Sequence, residues 1–147
     1  MNDIYTEMRN KVFTLKPEDV GVSLNNNDQV YASVVDINVN GNIVTLICAF
    51  DGTVSLYYSN GKCDVGLGKN EKINQAAISF LVSSGQCIKA MQKATQYPVG
   101  EKNMQIYLFV KDGIYQKTIL NNKAEEKEAR FLNFLVQNVL TAIREFK

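Results

Sequence analysis

The chain has 147 residues, of which 46% are hydrophobic and 21% charged, with a net charge of +1. This length suits one domain with its own core, so we predict a single domain over residues 1–147. The near-zero charge gives no indication of a nucleic-acid partner. No apolar run reaches the roughly 18 residues that a membrane-spanning helix needs.

The N-terminus and the cysteines both bear on location. The first ten residues include Asp3 and Glu7 and have no apolar core, so they do not resemble a secretory signal. Cys48, Cys63 and Cys87 are odd in number and widely spaced, unlike a disulfide framework. We therefore expect a cytoplasmic protein with free thiols.

Histidine is absent from the sequence. This excludes a Ser-His-Asp triad, a Cys-His pair and a metal site with histidine ligands. Three scattered cysteines cannot supply four thiolates for zinc. We expect no metal, no cofactor and no enzymatic activity.

Residues 71–96 carry the strongest helical period. At 100° per residue one apolar face contains Ile73, Ala76, Ala77, Phe80, Leu81, Ser84, Cys87, Ile88, Met91 and Ala94. Ile78 and Val82 lie on the far side, next to Gly85. They are either singly exposed apolar residues, which are common, or a second contact surface such as a subunit interface, where Gly85 would mark close approach.

Five strands are predicted, over residues 29–39, 43–50, 53–59, 104–110 and 114–120. Asn40-Gly41, Asp51-Gly52 and Asp112-Gly113 separate them as hairpin signals, because type I′ turns need positive φ at both central residues. Antiparallel pairing follows from these turns.

The second strand is apolar on both sides, with Ile43 and Ile47 on one side and Val44 and Leu46 on the other. An antiparallel strand of this kind needs cover on both faces. The helices can cover one face, and either the N-terminal segment or a second subunit must cover the other. Ile43, Ile47, Ile78 and Val82 are therefore the candidate interface residues.

Two further helices complete the fold. Residues 2–13 place Ile4, Met8 and Val12 on one side, and Pro17 begins a short helical turn that Gly21 ends. Near the C-terminus, Asn122 and Glu125 resemble a capping box before a long apolar stripe. We predict an α+β fold with element order α-β-β-β-α-β-β-α and one five-stranded antiparallel sheet of order 3-2-1-5-4, with helices packed on it.

The glycine-rich segment 61–72 is the main candidate ligand site. Strand, glycine-rich loop and helix is the context in which backbone N–H groups hold phosphate, and Gly66, Gly68 and Lys69 are the candidate residues. The spacing departs from the G-x-x-x-x-G-K-[ST] motif, because Leu67 follows Gly66 and Asn70 follows Lys69. A flexible loop before a helix is the simpler interpretation. Asp36, which interrupts strand one, is either a buried functional carboxylate or a residue at an edge or in solvent, and we expect the edge or solvent position.

The element order resembles that of the type III secretion chaperones of bacteria, small homodimers that bind segments of a secreted client. It is also similar to the roadblock and longin modules, whose strands split two and three. The resemblance implies a bacterial protein with a protein client. The leading hypothesis is a non-enzymatic protein-interaction module, chaperone-like or a scaffold, acting as a homodimer. The alternative is a domain that binds a small molecule or phosphate through residues 61–72.

Overall fold

The computed structural model describes residues 2–26, 28–101, 103–120 and 125–147. These residues form an α+β fold in which helices cover one antiparallel sheet. The helices are α1 (Asp3–Val12), α2 (Glu71–Ser84) and α3 (Lys127–Phe146). The strands are β1 (Ala32–Val39), β2 (Asn42–Ala49), β3 (Val54–Tyr58), β4 (Cys63–Asp64), β5 (Gln92–Lys93), β6 (Met104–Val110) and β7 (Gly113–Ile119).

The described residues form seven strands, not the five predicted, in the order β4-β3-β2-β1-β6-β7-β5. The predicted order 3-2-1-5-4 is wrong, because β1 pairs with β6 and not with β7. All seven residues of β6 are buried, whereas β7 carries the polar run Gln116–Lys117–Thr118. The strand that is apolar on both faces therefore occupies the inner position, and its more polar hairpin partner lies toward the edge.

The two additional strands are short and lie at the two edges of the sheet. One of them, β5, falls inside the predicted helix 71–96, which ends at Ser84 and continues as a 3₁₀ helix, Gly85–Ala90. A Cβ atom on Gly85 would overlap the carbonyl oxygen of Asp28. The close approach that Gly85 marks is thus a contact within the chain.

The predicted hairpins form, but their turns differ. Asn40 and Gly41 have φ of 53° and 86°, as a type I′ turn requires. At Asp51-Gly52 and Asp112-Gly113 only the glycine has positive φ. These two dipeptides therefore mark the position of a turn without giving it the predicted type.

The first face of the sheet holds the larger core. Helices α2 and α3 pack side by side on it. Its buried strand residues include Val35, Leu46, Leu56, Ile106, Leu108 and Ile119. The predicted apolar stripes of both helices form the helical side of this core, for example with Phe80 and Leu132.

The N-terminal segment covers the second face. Residues from Val12 to Leu24, together with Ala94 and Tyr97, pack on a second cluster that contains Val34, Ile47 and Phe109. Phe13 stacks on Tyr97 with 4.4 Å between ring centroids. The sequence left two possible covers for this face, the N-terminal segment or a second subunit, and in the structure the N-terminal segment covers it.

The two terminal helices differ from prediction in detail. Tyr5 and Arg9 are the buried residues of α1, while Ile4 is exposed, so the helix presents a more polar side to the sheet than Ile4, Met8 and Val12 predicted. Helix α3 begins at Lys127 after Glu126, which makes no side-chain cap. The predicted capping residue Asn122 lies outside the described residues.

Candidate functional site

A row of polar side chains crosses the second face of the sheet. The strand register aligns Tyr57, Thr45, Asp36, Gln105 and Thr118 on β3, β2, β1, β6 and β7. The row on one side of it contains the apolar residues Ile47 and Val34 and the ring of Tyr107. Buried polar groups are costly unless they are hydrogen-bonded, so the partners of this row show what it does.

Asp36 is at the centre of the row and is fully buried. Arg9 forms a two-pronged ion pair with it, with Nε 3.2 Å from Oδ1 and Nη2 2.7 Å from Oδ2. Thr45 donates its hydroxyl to Oδ1 at 2.8 Å, and the N–H of Gly100 donates to Oδ2 at 3.2 Å. The carboxylate is thus satisfied by groups from three parts of the chain. The prediction that Asp36 lies at an edge or in solvent is wrong.

Arg9 also donates hydrogen bonds to backbone carbonyls of the segment 94–101. Its Nη1 donates to the carbonyl of Tyr97 at 2.7 Å and its Nη2 to that of Pro98 at 3.1 Å. The guanidinium carbon lies 4.9 Å from the ring centroid of Phe13 and 5.7 Å from that of Tyr107, within the range of cation–π attraction. One signal for this pair is present in the sequence, because a lone Asp that is buried in an apolar strand needs a buried cation, and the chain has only three arginines.

Two tyrosines complete the network. The hydroxyl of Thr45 is donated to Asp36, so the Tyr5 hydroxyl, 2.5 Å away, is the donor to Thr45. Burial raises the pKa of Tyr5 and of Tyr107. Burial alone would lower the pKa of Arg9, but its hydrogen bonds to Asp36 and the charge of Asp36 give a net increase. The two charged groups of this network, Arg9 and Asp36, are partners of each other inside the fold. The arrangement can fasten α1 and the 94–101 segment to the sheet.

The predicted ligand residues Gly66, Gly68 and Lys69 lie together before α2, in and beside the 3₁₀ helix Leu67–Lys69. Gly66 adopts a left-handed conformation with φ 72°. A Cβ atom on Gly68 would overlap the carbonyl oxygen of Gly52, so close packing explains this glycine. The Asn70 side chain caps α2 by accepting from the N–H of Ile73. Lys69 is exposed.

The four candidate interface residues lie on two different sides of the molecule. Ile43 and Ile47 are buried on the second face of the sheet. Ile78 is half-buried and Val82 is 62% exposed, both on the side of α2 that points away from the sheet. The structure does not combine these four residues into one surface.

Helix α3 adds an exposed aromatic residue that the sequence analysis missed. Phe134 is 58% exposed and lies about 200° around the helix from buried Leu132 and Val136, so it points outward as Val82 does on α2. We call the outward side of these two helices, with Ile78, Val82 and Phe134, the outer helical surface. The signal was present in the sequence, because Phe134 lies off the apolar stripe of its helix.

Comparisons with protein-family models, with curated proteins and with solved structures gave no match. No helix in the described ranges has both the length and the apolar character needed to cross a membrane. The same residues contain no group of three or more Cys, Asp or Glu placed to hold a metal ion.

Proposed function

We propose that this protein is a non-enzymatic protein-interaction module that forms a homodimer through the outer helical surface. The observation that carries the proposal is the exposure of Val82 and Phe134 on the outward side of two helices that pack beside each other. Large apolar side chains at the centre of a surface are typical of interfaces.

The charge pattern of the two helices supports the proposal. Residues 73–88 and residues 131–143 contain no charged side chain, although both helices are partly exposed. Charges stand only at their ends, such as Glu71, Lys72 and Lys89 on one and Arg130 and Arg144 on the other. Depletion of charge at the core with a polar rim is the composition of protein–protein interfaces.

A second copy of the chain is the occupant that this pattern fits. A two-fold axis brings the same patch of both subunits together, so any charge near its centre would meet its own image. An uncharged surface of amide, hydroxyl and apolar groups avoids that repulsion. Its exposed polar members include Gln75, Ser79, Gln137, Asn138 and Thr141.

Size-exclusion chromatography with light scattering tests the proposal. The wild-type chain is expected to be a dimer at micromolar concentration, and Val82→Lys is expected to be a monomer with unchanged circular dichroism. Val65→Lys is the matched control, because Val65 is 61% exposed but lies outside the two helices. A monomeric wild-type chain, or a Val82→Lys variant that stays dimeric, would contradict the proposal.

Phosphate binding at residues 61–72 is the second candidate. The left-handed Gly66 and the glycine-rich turn lead directly into the N-terminus of a 14-residue helix. A thermal-shift series with inorganic phosphate and nucleotides is expected to raise the melting temperature of the wild-type chain but not of Lys69→Ala. Equal shifts in both proteins, or none in either, would remove this candidate.

A further inference from the structure

The polar row of the second face ends in an uncovered trough. Residues 98–101 form one wall, Ala90 and Gln92 form the other, and β6 and β7 form the floor. The trough consists of two adjoining hollows of about 380 and 270 Å³. Both hollows are lined by Gln105, Gln116 and Thr118, so they share one floor. This size falls at the lower end of pockets that hold small ligands.

The floor is held in place. Gln105 is nearly buried, its Nε2 donates to Gln116 Oε1 at 3.1 Å, and its Oε1 accepts from Thr118 Oγ1 at 2.5 Å. Gly100 packs directly against Gln105, since a Cβ atom on Gly100 would lie 2.5 Å from the Cβ of Gln105. Because Gly100 also donates its N–H to Asp36, the buried ion pair sets the position of the wall.

Two amide groups face the trough without partners. Among the described residues, Gln116 Nε2 and the side chain of Gln92 make no hydrogen bond, although both residues line the trough. A primary amide both donates and accepts, and the Thr118 hydroxyl, whose proton is donated to Gln105, can still accept. A ligand with several hydroxyl groups, each able to donate and accept, matches this set.

The nearby charges indicate a neutral ligand. Lys117 pairs with Glu126 and also donates to the carbonyl of Ala90, and Asp36 is neutralised by Arg9. Among the described residues of the lining, Glu101 on the wall is the one further charge. An anion would find no free positive charge among these residues and would meet a carboxylate, and a cation would find a carboxylate on the wall but not on the floor. Pro98 and Val99 add an apolar side wall of the kind that packs on C–H groups.

We propose that this trough binds a neutral, hydroxyl-rich small molecule of monosaccharide size. The site is separate from the outer helical surface, because it opens on the second face of the sheet. Binding is therefore expected in the monomeric Val82→Lys variant as well as in the wild-type chain, and the two proposals can fail independently.

Two-dimensional ¹H–¹⁵N NMR titration with glucose, galactose and maltose tests the proposal, with glucose 6-phosphate and inorganic phosphate as charged probes. At least one neutral sugar is expected to give saturable shifts at the backbone amides of Gln92, Gln105, Gln116 and Thr118. The charged probes are expected to bind more weakly. Gln116→Ala is expected to weaken binding by about tenfold, which corresponds to about 1.4 kcal/mol.

Gln86→Ala is the matched control, because Gln86 is an exposed glutamine of the 3₁₀ helix Gly85–Ala90 that lies outside the trough and whose amide donates to the carbonyl of Ser83. It is expected to bind as the wild type does. Should Gln116→Ala disturb the fold, the exposed Gln92→Ala gives the same test. No saturable shift with any neutral sugar, tighter binding of the charged probes at the same four amides, or wild-type affinity in Gln92→Ala would overturn the proposal.

Discussion

At the scale of single residues, the ion pair between Arg9 and Asp36 joins three distant stretches of sequence. Their closest atoms are 2.7 Å apart, and both side chains are almost fully shielded from water. Desolvating two charges costs free energy that their attraction only partly returns, but removing one partner leaves the other charge buried alone. The pair therefore specifies where α1 and the 94–101 segment dock.

Breaking this pair is expected to destabilise the fold strongly. Arg9→Met and Asp36→Leu should each lower the free energy of unfolding by about 3–5 kcal/mol, because each leaves an uncompensated buried charge. The double variant should lose much less stability than the sum of the two single losses. Urea unfolding would measure the free energy of unfolding of all three variants. Lys147→Met is the control, since the pair of Lys147 with Asp64 is largely exposed. Additive losses in the double variant would contradict a coupled pair.

The buried thiol of Cys48 gives a pH dependence. Burial raises its pKa from 9.0 to about 12. Between these two values the unfolded chain has released the thiol proton while the folded chain retains it. The unfolded state binds fewer protons there, so the free energy of unfolding falls as pH rises from 9 toward 12.

Melting temperatures between pH 8 and pH 11 check this prediction. Cys48→Ala is expected to show a shallower decline than the wild type, although the buried Tyr5 and Tyr107, whose pKa values are also raised, keep part of the slope. Cys63→Ala, which changes an exposed thiol, should follow the wild type. Parallel curves for all three proteins would rule out a contribution from Cys48.

At the scale of elements, the sequence predicted the features that depend on neighbouring residues. The alternation of apolar residues and the Asn-Gly and Asp-Gly turns placed β1, β2, β3, β6 and β7 within three residues at each end. The predicted order of β6 and β7 was wrong. The long connection between β3 and β6 allows either strand to pair with β1, and the strand that is buried along its whole length takes the inner position. The edge strands of two residues each carry too short a pattern to be recognised.

The candidate site was harder to predict than the fold. Asp36 and Arg9 are 27 residues apart in sequence, and no local periodicity links them. The helix α1 turned its Tyr5 and Arg9 side toward the sheet because hydrogen bonds to Thr45 and Asp36 are available there. The hydrophobic pattern predicts Ile4 rather than Arg9 on the buried side of α1, because it takes no account of hydrogen bonds formed in the core.

The two glycines before α2 are expected to respond differently to substitution. In Gly68→Ala the new Cβ atom would overlap the backbone of Gly52, so a loss of stability of more than about 2 kcal/mol is expected. In Gly66→Ala the added methyl group meets only the flexible end of Lys69, and the left-handed φ alone costs about 1–2 kcal/mol. Urea unfolding of both variants is the measurement. A larger loss in Gly66→Ala would contradict this account.

At the scale of the whole molecule, the chain itself covers both broad faces of the sheet apart from the trough on the second face. The second cover is the thinner one, because it consists of α1, a 3₁₀ helix at Pro17–Val20 and extended segments. Phe13 belongs to this cover and contacts the rings of Tyr97, Tyr107 and Phe109. It is the main aromatic contact between the cover and the sheet.

Removing this cover is expected to expose the apolar second face. A chain without residues 1–15 should bind the dye ANS and aggregate, because Val34, Ile47 and Phe109 lose their packing partners. Fluorescence and light scattering would measure both effects. Ile4→Ser, which alters an exposed residue of the same segment, should behave as the wild type. A truncated chain that stays dispersed and binds no dye would show that the face tolerates water.

The short edge strands have a consequence for how copies of this protein meet. The sheet ends in Cys63–Asp64 on one side and Gln92–Lys93 on the other, each pairing with its neighbour over only two residues. Such short edge strands are poor templates for a further strand, so open-ended ribbon assembly is disfavoured at high concentration. Association is left to side chains, which favours complexes of fixed stoichiometry over fibres.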